Sequence, residues 1–132
     1  MATKKSVANY TVEIEETSLA EMSAKDRIKM KEVSDATKLD IAVTEDEALI
    51  ISPVAYAILN IHNEKSDDKD YKNYIILDKD GNKYVTGSES FWNSFINIFN
   101  ELDGSGEEWE LKIFRMPSKN YSGKTFITCA VA

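Results

Sequence analysis

Segment 88–102 (SESFWNSFINIFNEL) constrains this chain more than any other. Phe91, Trp92, Phe95, Ile96, Phe99 and Leu102 recur at i, i+3 and i+4 spacing, which predicts one amphipathic helix with a wide, largely aromatic stripe. Ser88 or Ser90 can cap its start, and the run Asp103-Gly104-Ser105-Gly106 ends it. Such a stripe has to be covered, and the sequence on both sides of it reads as strand. Segments 48–51 and 54–61 are rich in β-branched and aromatic residues, with Pro53 marking an edge or a bend. Segments 71–77 and 83–86 flank the turn Asp78-Lys79-Asp80-Gly81-Asn82, where Gly81 suits a positive φ, and Gly87 closes the hairpin. A second hairpin follows over 108–116 and 125–131 around the loop 117–124. Parity turns Trp109, Leu111, Ile113, Ile127, Cys129 and Val131 inward.

The N-terminal third is less regular. Segment 10–16 alternates, with Tyr10, Val12 and Ile14 on one side and Thr11, Glu13 and Glu15 on the other, as a half-buried strand does. Segment 23–33 has Asp26 three residues after Ser23 and apolar positions at Ile28, Met30 and Val33; it suits a short capped helix or an irregular basic loop. Segment 34–47 is polar and supports no firm state. With 132 residues, one domain is expected over 10–132, after a flexible N-terminus at 1–9. The expected fold is mainly β with one α-helix. It is an OB-fold-like, five-stranded antiparallel barrel with the helix between strands 3 and 4, plus an N-terminal extension.

Composition removes much chemistry. Sixteen Lys and Arg against 23 Asp and Glu give net −7, which speaks against a generally basic, sticky protein but leaves room for a local basic face. The lone Cys129 allows no internal disulfide and no cysteine zinc cluster, and His62 is the sole histidine. Asp78-x-Asp80-Gly81-Asn82 resembles the start of a calcium loop but lacks its later ligands, so a hairpin turn is the better reading. No nucleophile elbow, phosphate loop or dinucleotide fingerprint occurs, so no enzyme and no cofactor are expected. No apolar run is long enough for a membrane span, and residues 1–8 lack a secretory core. Cytoplasmic residence is the expectation.

Binding chemistry is more promising. The last hairpin carries Lys112, Arg115, Lys119 and Lys124 against Glu110 alone over 109–132. Parity sends Lys112 and Phe114 outward on one strand and Lys124, Phe126 and Thr128 outward on the other. Exposed aromatics beside lysines let bases stack while ammonium groups meet phosphates. Lys72 and Tyr74 share a face on the first hairpin, with Lys83 and Tyr84 near them. The competing reading makes these aromatics the cover of a second small core beneath the N-terminal segment.

Two runs, Tyr84-Val85-Thr86-Gly87-Ser88-Glu89-Ser90-Phe91-Trp92 and Pro117-Ser118-Lys119-Asn120-Tyr121-Ser122-Gly123-Lys124-Thr125-Phe126-Ile127-Thr128-Cys129, resemble a family of small single-stranded-DNA-binding proteins encoded by phages and prophages of Gram-positive bacteria. The layout is more distantly similar to the corresponding protein of protein-primed Bacillus phages. The resemblance covers about 23–131 and implies an OB-like fold and a role coating displaced strands during replication or recombination in the host cytoplasm. Charge and aromatic content single out Lys72, Tyr74, Lys83, Lys112, Phe114, Arg115, Lys119, Tyr121, Lys124 and Phe126 as the candidate contacts. Single-stranded DNA is the expected partner, with replication proteins or a second copy of the chain as further candidates. The alternatives are an acidic inhibitor that mimics DNA, motivated by Glu13, Glu15, Glu16, Asp67, Asp68 and Asp70, and an adaptor that binds protein only.

Overall fold

Period-two patterning and the single aromatic stripe sort the chain into two sheets and three helices in a computed structural model that describes residues 9–132. In chain order the elements are β1 (Tyr10–Thr17), α1 (Ala24–Lys31), β2 (Thr37–Lys38), α2 (Leu39–Ala42), β3 (Leu49–Ile51), β4 (Pro53–Asn63), β5 (Asp70–Asp78), β6 (Lys83–Thr86), α3 (Glu89–Leu102), β7 (Leu111–Pro117) and β8 (Thr125–Val131). Strand accounts for 41% and helix for 21%, so the protein is mainly β, with three helices where one was expected. The flexible terminus expected at 1–9 falls, Asn9 apart, outside the described residues.

The larger sheet runs β1-β4-β5-β6-β2, and the smaller runs β3-β7-β8. They do not close into the expected five-stranded barrel. The break lies where Pro53 stands: β3 pairs with β7, whereas β4, starting at Pro53, pairs with β5 and β1. One strand-like run thus divides between two sheets.

The stripe of α3 packs as its spacing demands. Ser88 caps the helix, its Oγ accepting from the Phe91 amide at 3.2 Å. Phe91, Trp92, Phe95 and Phe99 are buried with Tyr56, Ile58, Tyr74, Ile76 and Tyr84 of the larger sheet and Ile51, Leu111, Ile113, Ile127 and Cys129 of the smaller. Trp92 stacks on Tyr74 with ring centroids 4.9 Å apart and meets the edge of Tyr56 at 5.4 Å. Segment 34–47, unreadable in sequence, contributes Leu39 and Val43 to this core from one turn of helix.

The opposite face of the larger sheet carries a thinner layer. Ala57, Leu59, Ile61, Ile75 and Val85 are buried there beneath Met30 of α1, with Met22, Val33 and Ala36 beside it. Ser23 caps α1 through the Asp26 amide, which settles 23–31 as helix. Met30 is buried as its apolar position suggests, but Ile28 points into solvent. Val131, assigned inward by parity, is also exposed at the strand end. In the 78–82 turn, Asp78 accepts from the Asp80 and Asn82 amides at 3.0 and 2.8 Å and from the Tyr84 hydroxyl at 2.9 Å. That carboxylate is committed to the hairpin, and Gly81 has φ +85° as expected.

Candidate nucleic-acid interface

The smaller sheet has one face in the core and one in solvent, so its alternation sorts side chains cleanly. Leu111, Ile113, Ile127 and Cys129 point in; Lys112, Phe114 and Met116 of β7 point out. Register places Ala130, Thr128 and Phe126 of β8 opposite these three, and Ile50 of β3 on the far side of Lys112. Ile50, Met116 and Phe126 are exposed, and Phe114 is half-buried. Phe126 lies diagonally across from Phe114, close enough for aromatic rings to cover adjacent ground. The Lys112 ammonium sits 5.6 Å from the centroid of the Phe114 ring, a cation–π arrangement.

The β7–β8 loop joins the two strands at one end of this face. The Ser118 amide donates to the Lys124 carbonyl at 2.8 Å and the Lys124 amide to the Tyr121 carbonyl at 3.2 Å, closing a turn in which Gly123 has φ +79°. Lys119, Tyr121 and Lys124 are exposed on it, Tyr121 by 66%. Among the described residues, Lys112, Lys119 and Lys124 form no ion pair with a carboxylate. Of the sequence-selected residues, Lys112, Phe114 and Phe126 share this outer face, and Lys119, Tyr121 and Lys124 are exposed on the loop that joins its two strands.

The other four are engaged elsewhere. Tyr74 is a core residue stacked under Trp92, not an outward platform and not part of a second small core. Tyr84 likewise belongs to the aromatic core; burial and its bond to Asp78 push its hydroxyl up to about 12. Lys83 donates to the Lys29 and Glu32 carbonyls at 2.5 and 2.7 Å, capping the C-terminal end of α1. Lys72 pairs with Glu15 at 3.0 Å, and their hydrogen bond lowers the carboxyl and raises the ammonium. Arg115 donates to the Val43 carbonyl at 2.7 Å, to the Asp40 carbonyl and to Thr125 Oγ1, bracing α2 against the smaller sheet. Arg115 has the parity of Leu111 and Ile113, the inward side of β7, and the expectation that it meets nucleic acid overlooked this.

Sequence reasoning missed Ile50 and Met116. Met116 shares parity with Lys112 and Phe114 and was legible; Ile50 joins them only through the long-range pairing of β3 with β7. Cys129 is a buried thiol pushed up to about 12 by that burial, which leaves it protonated. His62, at the far end of the larger sheet, has Nδ1 2.8 Å from Asp70 and Nε2 2.9 Å from Glu64. Its pKa is raised, first by the Asp70 hydrogen bond and then by that of Glu64. Among the described residues, no group of three or more His, Cys, Asp or Glu side chains is set to hold a metal ion, and no helix is long and apolar enough to cross a membrane. Comparisons with models of protein families, with curated proteins and with solved structures find no match.

Proposed function

We propose that this protein binds single-stranded DNA without sequence preference, coating and protecting displaced strands during phage replication or recombination. The observation that carries the reading is the outward face of β7 and β8. Phe114 and Phe126 share that face with Lys112, and Tyr121, Lys119 and Lys124 stand on the loop at its end. Bases stack on rings irrespective of sequence, each worth about 1–3 kcal/mol, while ammonium groups follow the phosphates. Topology adds support. The order β4-β5-β6, then α3, then β7-β8, with β3 laid on β7, is compatible with an OB-like arrangement, although the two sheets do not close into a barrel.

Net −7 slows the approach of a polyanion, yet charges on the larger sheet are screened beyond roughly 8–10 Å at physiological salt. A mimic of DNA would present an unbroken run of carboxylates. Here Glu15 is paired with Lys72, and Glu64 with Lys69 and His62, which weighs against that alternative.

Fluorescence anisotropy of labelled oligo-dT, titrated with protein at several salt concentrations beside a duplex of equal length, tests the proposal. Saturable binding is expected, weaker for duplex, with log affinity falling by about 0.7 per phosphate contact for each unit of log salt. Absence of binding at low salt and micromolar protein would overturn it and bring the protein-binding alternatives forward.

A further inference from the structure

Helix α1 does something the packing does not require. It gives the core only Met30, yet within eight residues it carries Lys25, Arg27, Lys29 and Lys31, a quarter of the 16 basic residues of an acidic chain. Lys25 and Lys31 lie three residues either side of Ile28 and so share its face. Ile28 is 59% exposed at the centre of that face. Lys25, Arg27 and Lys29 are exposed, Lys31 is half-buried, and none forms an ion pair among the described residues. The Asp26 amide donates to Ser23 Oγ in the capped first turn, and the neighbouring Asp35 is met by Lys83 at 3.6 Å.

The helix is also held still. Lys83 reaches from β6 to the carbonyls at its C-terminal end, Ser23 fixes its start, and Met30 anchors its underside. Its cations are thus presented on a rigid support, and this face lies on the opposite side of the larger sheet from the smaller sheet and its aromatic platform.

We infer that the outer face of α1 is a second polyanion-binding surface, taking the sugar–phosphate backbone of a second segment of single-stranded nucleic acid. The choice of nucleic acid as the polyanion rests on the function proposed above. A lipid surface fits less well, since one exposed isoleucine on two turns of helix offers little apolar area to insert. Two binding faces on opposite sides let one chain engage two segments at once, wrapping a long strand or bridging two strands.

Anisotropy with labelled oligo-dT of roughly 40 nucleotides, several times one OB site, tests this on the full chain and two variants. One combines Lys25→Gln, Arg27→Gln, Lys29→Gln and Lys31→Gln, which keeps good helix formers, with circular dichroism verifying the fold. The other is Phe114→Ala with Phe126→Ala. The fourfold variant is expected to bind at least tenfold more weakly at low salt, with a salt slope shallower by about 2–3. An unchanged affinity and slope overturns the inference while leaving the platform in place. If the platform variant binds like wild type and the fourfold variant does not, α1 stands and the platform falls. If wild type binds no oligo-dT, both fall. If wild type binds phosphatidylglycerol vesicles and the fourfold variant loses that binding while keeping wild-type oligo-dT affinity, the assignment to nucleic acid is overturned.

Discussion

The two faces of the larger sheet are built to different standards. One presents Tyr56, Ile58, Tyr74, Ile76 and Tyr84 to α3 and the smaller sheet, and every large side chain there meets an aromatic or aliphatic partner. The other presents Ala57, Leu59, Ile61, Ile75 and Val85 to a cover whose one buried helical residue is Met30. The comparison teaches that folding and exposure are divided between layers. The aromatic core fixes how the two sheets sit, which leaves the outer face of the smaller sheet and the outer face of α1 largely in solvent.

The sharpest way to break this comparison is to remove the ring at the centre of the heavy side. Trp92→Ala is expected to destabilise the fold by about 3–5 kcal/mol in urea denaturation, because it empties the space between Tyr56 and Tyr74. Met30→Ala, on the light side, is expected to cost about 2 kcal/mol, since a thin cover can settle into the gap. Equal losses from the two substitutions would contradict the division.

Sequence legibility followed the same division. Helix α3, its cap at Ser88 and its buried positions were readable because six apolar residues repeat over four turns, a pattern that local chemistry alone sets. The parity of β7 and β8 was readable for the same reason, and it delivered Phe114 and Phe126. What was not readable depends on pairing between distant segments. The division of 48–61 between two sheets, the burial of Leu39 and Val43 and the placement of Ile50 beside Lys112 have no local signature. Lys72, Lys83 and Arg115 looked like free cations because their partners, Glu15, the end of α1 and the end of α2, lie 51 or more residues away.

Two pH effects sharpen the comparison further. Burial pushes the Asp78 carboxyl up, but the Asn82 amides, the Tyr84 hydroxyl and the Asp80 amide outweigh it and hold the group below its ordinary 3.8. A depressed carboxyl stabilises the fold above that ordinary value, and the contribution is lost as pH falls through the folded value. Asp78→Asn is expected to cost about 1–3 kcal/mol near neutrality and to flatten the acid limb of stability against pH. An acid limb identical to wild type would show that the Asp78 cluster does not set it.

The smallest effect concerns His62, which lies beyond both cores. Its raised pKa means that its contribution is complete below the ordinary 6.5 and disappears as pH rises through the folded value. An NMR titration of the His62 ring should give a midpoint above 6.5, shifted down by Asp70→Asn. A midpoint at or below 6.5 in wild type would mean that the two carboxylates do not hold the ring in solution.

The central claim is that the outer face of β7 and β8 is free for ligand because the inner faces carry the fold. Oligo-dT affinity and urea stability of Phe114→Ala combined with Phe126→Ala test it together. The account predicts affinity lower by about tenfold or more from lost stacking, with stability changed by less than about 1 kcal/mol. Affinity within twofold of wild type, or a stability loss as large as that of Trp92→Ala, would contradict it.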